Sequence, residues 1–166
     1  MPLVVSDFPN LTPKKILSPR GIREEHRENL LCIGYGYTRI NELTGAIVSS
    51  AMKVHSFLGP GLLESAYQAC LAQELRSRGF EVITEVAMPV VYEGQKLEVG
   101  YRIDLVVEHR VVVEVKSVEA LHPIHQAQLL SYMRLSGIPV GLLINFNVLQ
   151  LRNGIKRMVN GQEWDR

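Results

Sequence analysis

The sequence predicts an α/β fold, a central mixed sheet flanked by helices in the order helix, helix, three strands, helix, strand. Three observations carry that expectation. Apolar side chains between Asn41 and Arg78 recur at helical spacing. From Phe80 the period changes to two. Val111–Val115 and Val140–Phe146 are short, nearly continuous apolar runs, the pattern of strands covered on both faces.

Taken in order, Leu43, Ile47, Ala51, Val54 and Leu58 form the stripe of a first helix, with Asn41 as its expected N-cap. Gly59-Pro60-Gly61 ends it. A second helix is expected from about Leu62 to Arg78, with Leu63, Ala66, Tyr67, Cys70, Leu71 and Leu75 on its apolar side and Gly79 just past its end. Phe80–Val86, Pro89–Tyr92 and Lys96–Val107 read as extended, with a turn at Glu93-Gly94-Gln95. Pro123–Ser136 is helical and closes at Gly137. Asn153-Gly154 suggests a last hairpin joining Leu149–Leu151 to Ile155–Val159. Residues 1–40, with four of the eight prolines, read as an irregular N-terminal extension with a helical piece around Arg23–Leu31. Residues 41–166 read as the folded domain.

Composition narrows the function. The chain has 166 residues, net charge +1, 46% hydrophobic and 21% charged residues, which excludes wholesale disorder, collagen and coiled-coil rods. Cys32 and Cys70 cannot make a four-cysteine zinc or iron–sulfur site. They are not a secreted disulfide framework either, which points to a reducing compartment and a cytoplasmic protein. No apolar run reaches membrane-spanning length, so no membrane association is expected. Near-neutral charge argues against a broad basic surface for nucleic acid.

The chemistry-bearing segment is Arg102-Ile-Asp104-Leu-Val-Val-Glu-His-Arg-Val-Val-Val-Glu114-Val-Lys116. If Glu108-His109-Arg110 is a tight loop, Val107 faces Val111 and Asp104 faces Glu114. The period of two then adds Lys116 to the face of Glu114. Two carboxylates and an ammonium would meet on a sheet otherwise rich in Val, Ile and Leu. Like charges placed opposite each other destabilise a sheet unless a cation lies between them. Hard oxygen ligands suit magnesium or manganese. A slip of one residue would separate the two carboxylates, and the alternative is an ordinary strand-surface ion pair. Glu64 borders the apolar stripe of the second helix, and His125, Gln128 and Tyr132 share a face of the third. Arg102, two residues before Asp104, either shares the site and meets a phosphate or forms a surface ion pair.

Gly61-Leu-Leu-Glu64-Ser-Ala-Tyr67 matches the GxxExxY signature. With Asp104, Glu114-Val115-Lys116, Gln128-x-x-x-Tyr132 and Gly141-Leu-Leu-Ile-Asn145-Phe146, residues 41–159 resemble the GxxExxY protein family, a branch of the PD-(D/E)XK nuclease-like superfamily. The resemblance implies a restriction-endonuclease-like core and hydrolysis of DNA by water activated on a divalent ion, Mg2+ or Mn2+. It implies Asp104, Glu114 and the carbonyl of Val115 as metal ligands, and Glu64 as an acid acting on the metal through water. It implies Lys116 as the catalytic lysine, and Gln128 and Tyr132 as residues that support the site and contact DNA. Tyr67 of the signature, and Arg102 from its place before Asp104, are further candidates for support of the site or substrate. DNA is the expected partner. RNA, a homo-oligomer and a catalytically silent nucleic-acid-binding or scaffold protein on the same fold stay open. His122 and His125 lack a third ligand for zinc, His55 reads as a packed histidine and Cys70 as core. The bland alternatives for Glu64 and the third helix are a half-solvated side chain and a wet surface.

Overall fold

Two six-residue segments in which every residue is buried form the middle of the sheet, β3 (Val111–Lys116) and β4 (Val140–Asn145). The computed structural model describes residues 28–160. β3 and β4 run parallel, from Val111 beside Val140 to Lys116 beside Asn145. A parallel pair needs a crossover, and α3 (Pro123–Ser136) supplies it. Burial at every position, rather than at alternate ones, is what a strand covered on both faces requires. Antiparallel strands complete the sheet in the order β1-β2-β3-β4-β5, with β1 (Val82–Tyr92) and β2 (Gln95–Val107) on one side and β5 (Ile155–Val159) on the other. The result is the expected mixed sheet with flanking helices.

The helices divide between the two faces. α1 (Glu28–Leu58) and α2 (Glu64–Ser77) bury Ile47, Ala51, Leu71 and Leu75 against Leu105, Val113 and Ile144. α3 buries Leu129 and Met133 against Val112 and Leu143. It approaches closely because position 141 is glycine: a Cβ there would lie 2.6 Å from Met133 Sδ and 2.9 Å from Leu129 Cδ1. Pro123 starts α3, where its missing N–H costs nothing, and Gly137 at φ 69 ends it.

Four local expectations are corrected. The first helix begins at Glu28, and Asn41 lies within it on an exposed position, where asparagine costs only a few tenths of a kcal/mol beyond average residues. Of the expected irregular extension, residues 1–27 lie outside the described residues. Leu149–Leu151 is not a strand. Leu151 is drawn into the core and Leu151–Gly154 forms a 3-10 turn, tight against the main-chain oxygen of Asn145 at Gly154. β5 pairs instead with the open edge of β4, Val159 beside Val140 through Ile155 beside Ile144. Cys70 is exposed, not core. Finally, β1 runs through Pro89 with a register shift between Met88 and Val90, which an edge strand tolerates.

Candidate active site

The site rests on the turn between β2 and β3. Val107 pairs with Val111, Val106 with Val112 and Leu105 with Val113, the register expected from the sequence. The turn has no glycine, yet Glu108 and His109 both adopt φ 52. Each such residue costs about 1–2 kcal/mol. Glu81 offsets that cost: its N–H donates to Glu108 Oε1 at 2.7 Å, its carbonyl accepts from Glu108 N–H at 2.9 Å, and its Oε1 lies 2.9 Å from His109 Nε2.

Beyond Leu105 the regular pairing stops. Leu105 and Val107 pack toward α1 and α2, and Val106 packs toward α3, as alternation demands. Ile103 also packs toward α3, so the pleat breaks at Asp104. The neighbouring residue of β1, Glu85, has φ 54 and is skipped in the ladder, which goes from Thr84–Leu105 to Val86–Ile103. Irregularities of this kind re-aim side chains. Here the Asp104 carboxylate replaces a main-chain acceptor: Oδ2 accepts from the Val115 N–H at 2.8 Å. Gln68 Nε2 of α2 donates to the Asp104 carbonyl at 3.1 Å.

Glu114 and Lys116 are almost wholly buried, at 1% and 8% exposure. Lys116 Nζ donates to Glu114 Oε1 at 2.5 Å and lies 3.5 Å from Glu64 Oε1. The second oxygen of Glu114, Oε2, is buried without a partner. Burial first, and then the charge of Asp104, push Glu114 up to about 7 in spite of Lys116. Burial likewise raises Asp104, against the lowering effects of the Val115 N–H and Lys116. Burial opposes the charge on Lys116, but its hydrogen bond to Glu114 and the surrounding carboxylates outweigh that and hold its pKa above the usual lysine value. So costly a group of charges on a fully buried strand marks a functional site more readily than a structural one.

Glu64 comes from another layer. It is the first residue of α2, and its Oε2 accepts from the Ser117 N–H at 3.3 Å. The loop before it is tied down twice. Ser117 Oγ donates to the Leu62 carbonyl at 2.6 Å. Tyr67, fully buried and stacked on Phe146 at 4.6 Å, donates its hydroxyl to the Gly59 carbonyl at 2.7 Å and accepts from the Leu62 N–H at 3.0 Å. Tyr67 therefore positions the turn that presents Glu64. On the other side, Asn145 Oδ1 accepts from the Val118 N–H at 3.0 Å and Nδ2 donates to the Val118 carbonyl at 2.8 Å, fixing the chain just after Lys116.

An Asp, an internal Glu and a Lys two residues later, on neighbouring strands and joined by a helix glutamate, now stand together. Residues 41–158 match the PD-(D/E)XK nuclease superfamily. The chain belongs to this superfamily. Neither the curated proteins nor the solved structures offer a match. Membership makes a nucleic acid the implied substrate class, and nucleases of this superfamily generally use divalent metal ions. No described helix is long and apolar enough to cross a membrane.

The remaining expected residues lie around this PD-(D/E)XK cluster rather than in it. Arg102 Nη1 pairs with Glu85 Oε1 at 3.1 Å, and both side chains are more than half exposed, so the surface ion pair is what forms. Gln128 Nε2 donates to the Tyr132 hydroxyl at 3.0 Å on α3, on the side of the sheet to which Val112 points. His122 and His125 cap α3 reciprocally, the His122 N–H donating to His125 Nδ1 at 3.1 Å. His55 is buried with Nε2 2.7 Å from the Val148 carbonyl. Sequence reasoning missed Gln68 and Ser117, and named Asn145 only within a motif, without a role. Gln68 carries a usable signal, being four residues after Glu64 and so on the same helix face.

Among the described residues no group of three or more His, Cys, Asp or Glu forms a complete metal cage. Magnesium does not need one: it is commonly held by one or two carboxylates, with water and substrate phosphate completing the shell. Asp104 and Glu114 fit that requirement, because their donors are hard oxygens and Glu114 Oε2 has no other partner.

Proposed function

We propose that the protein is a divalent-metal-dependent nuclease of the GxxExxY branch that hydrolyses DNA phosphodiester bonds, with Mg2+ or Mn2+ as its ion. The observation that carries this reading is the buried, partnerless Glu114 Oε2 beside Asp104, with the Lys116 ammonium on the other oxygen. Asp104 and Glu114, with the Val115 carbonyl, would hold the ion. When bound, the ion supplies Lewis acidity to a phosphoryl oxygen and to water. Lys116 sets a positive charge where negative charge develops on phosphorus. Glu64, its side chain 41% exposed, accepts a hydrogen bond from water and orients it. Gln128 and Tyr132 line the α3 side.

The test is cleavage of supercoiled, linear, single-stranded and branched DNA, and of RNA, with Mg2+, Mn2+ or EDTA. Asp104→Ala and Lys116→Ala should fold and lose metal-dependent cleavage. Cleavage that persists in both variants, or in excess EDTA, overturns the proposal. Binding in EDTA with no cleavage of any substrate would instead identify a catalytically silent binding protein.

A further inference from the structure

We infer that Tyr101 is a stacking platform for an unpaired nucleobase flanking the scissile phosphate, so that the substrate is single-stranded or frayed DNA rather than intact duplex; this rests on the nuclease reading above.

Tyr101 is an aromatic residue that the catalytic cluster does not use, on the same strand as Asp104 and three residues before it. The residue is 51% exposed, although it belongs to a strand whose other large apolar residues near the site, Ile103 and Leu105, are fully buried. It is not loose. The ring meets Tyr132 at 6.4 Å with an interplanar angle of 72°, an edge-to-face contact. Tyr132 is itself 4% exposed and accepts from Gln128. One edge of the Tyr101 ring system is thus anchored to α3 while half its surface faces solvent.

The position suits a nucleotide chain. Tyr101 precedes Asp104 by three residues, about 10 Å along an extended strand. The contact with Tyr132 puts it on the α3 side, the side to which Glu114 and Lys116 alternate opposite Val113 and Val115. β3 pairs with β2 only as far as Leu105, so the next strand does not flank β2 at Tyr101. A phosphate at the carboxylates would leave an adjoining base within reach of the ring. Stacking requires a free base face, which a base inside a duplex has already given to its neighbours. An ammonium and a bound cation supply attraction for the backbone, and a flat ring supplies it for a base, whatever its identity.

The test uses the full chain with Mg2+ and a single-stranded oligonucleotide, alongside the same oligonucleotide carrying abasic positions and a blunt duplex of the same sequence. Wild type should cut the intact single strand fastest and lose about 10-fold in kcat/KM when the flanking base is removed, in the range of stacking on one aromatic side chain. Tyr101→Leu, which keeps an apolar contact with Tyr132 but no flat ring, should lose a similar factor on the intact strand and nothing further on the abasic one. Tyr101→Phe should restore both behaviours. Equal losses for Tyr101→Leu on intact and abasic strands, no loss at all, or preferential cutting of blunt duplex by wild type would overturn the inference while leaving the nuclease reading standing. Wild type that cuts no better than Lys116→Ala would overturn both.

Discussion

Lys116 donates to one oxygen of Glu114, and the other oxygen of the same buried carboxylate has no partner. Replacing a buried ion pair by apolar residues of similar volume is often neutral or stabilising by about 1–4 kcal/mol. Glu114→Met combined with Lys116→Met should therefore unfold at higher urea concentration than wild type in EDTA, and should cut nothing. A double variant less stable than wild type would show that the pair is structural.

The raised pKa of Glu114 fixes the sign of a pH dependence. Between the ordinary value of 4.5 and about 7 the folded protein holds a proton that the unfolded chain has released. Stability without metal should fall as pH rises through that window, by an amount on the order of 3 kcal/mol from this group. Asp104 is shifted in the same direction and adds to the fall from lower pH. Lys116 is raised above 10.5, so its contribution is present throughout this window and is lost only in stronger alkali. Urea titrations from pH 4.5 to 8 in EDTA should show the slope, and Glu114→Gln should flatten it. Magnesium affinity should rise over the same range, with proton release visible by calorimetry in buffers of different ionisation enthalpy.

Gln68 holds the main chain of Asp104 from a neighbouring layer. Gln68→Leu should lower kcat about 10-fold through misplacement of Asp104, with a stability change of about 1 kcal/mol. Gln68→Glu, which keeps the shape and loses the amide donor, should be as impaired. Full activity in both would remove Gln68 from the positioning of the site.

Tyr67→Phe removes one hydroxyl that serves both the Gly59 carbonyl and the Leu62 N–H. Loss of two main-chain bonds at one buried point should cost about 1–3 kcal/mol. Because the loop leads into Glu64, kcat should fall as well, and thermal melting followed beside cleavage would show both effects in one variant.

Much of this could be read from residue types and spacing. The apolar runs of β3 and β4 announced their burial, and the register across Glu108-His109-Arg110 followed from treating three residues as the loop. What spacing could not show was how the glycine-free turn is made tolerable. Its stabiliser, Glu81, is distant in sequence and sits on the approach to β1. Period-two reasoning also assumes an unbroken pleat, and the pleat breaks at Asp104, where Glu85 takes a left-handed backbone. Arg102 was ambiguous for the same reason, and that glutamate is its partner. Asn153-Gly154 gave the right punctuation with the wrong partner strand, because the hunger of the β4 edge for pairing is a tertiary fact.

Glu64 reaches Lys116 from the α1–α2 side of the sheet, and Asn145 pins the segment after Lys116 from β4. These contributors come from three widely separated stretches of chain and meet only when helix layer, crossover and sheet have all docked. A nascent chain or a proteolytic fragment with half the sheet has the acids but not their arrangement. The arrangement is therefore a property of the fully docked chain alone, and any chemistry that needs all of these groups at once appears only with the last long-range contacts.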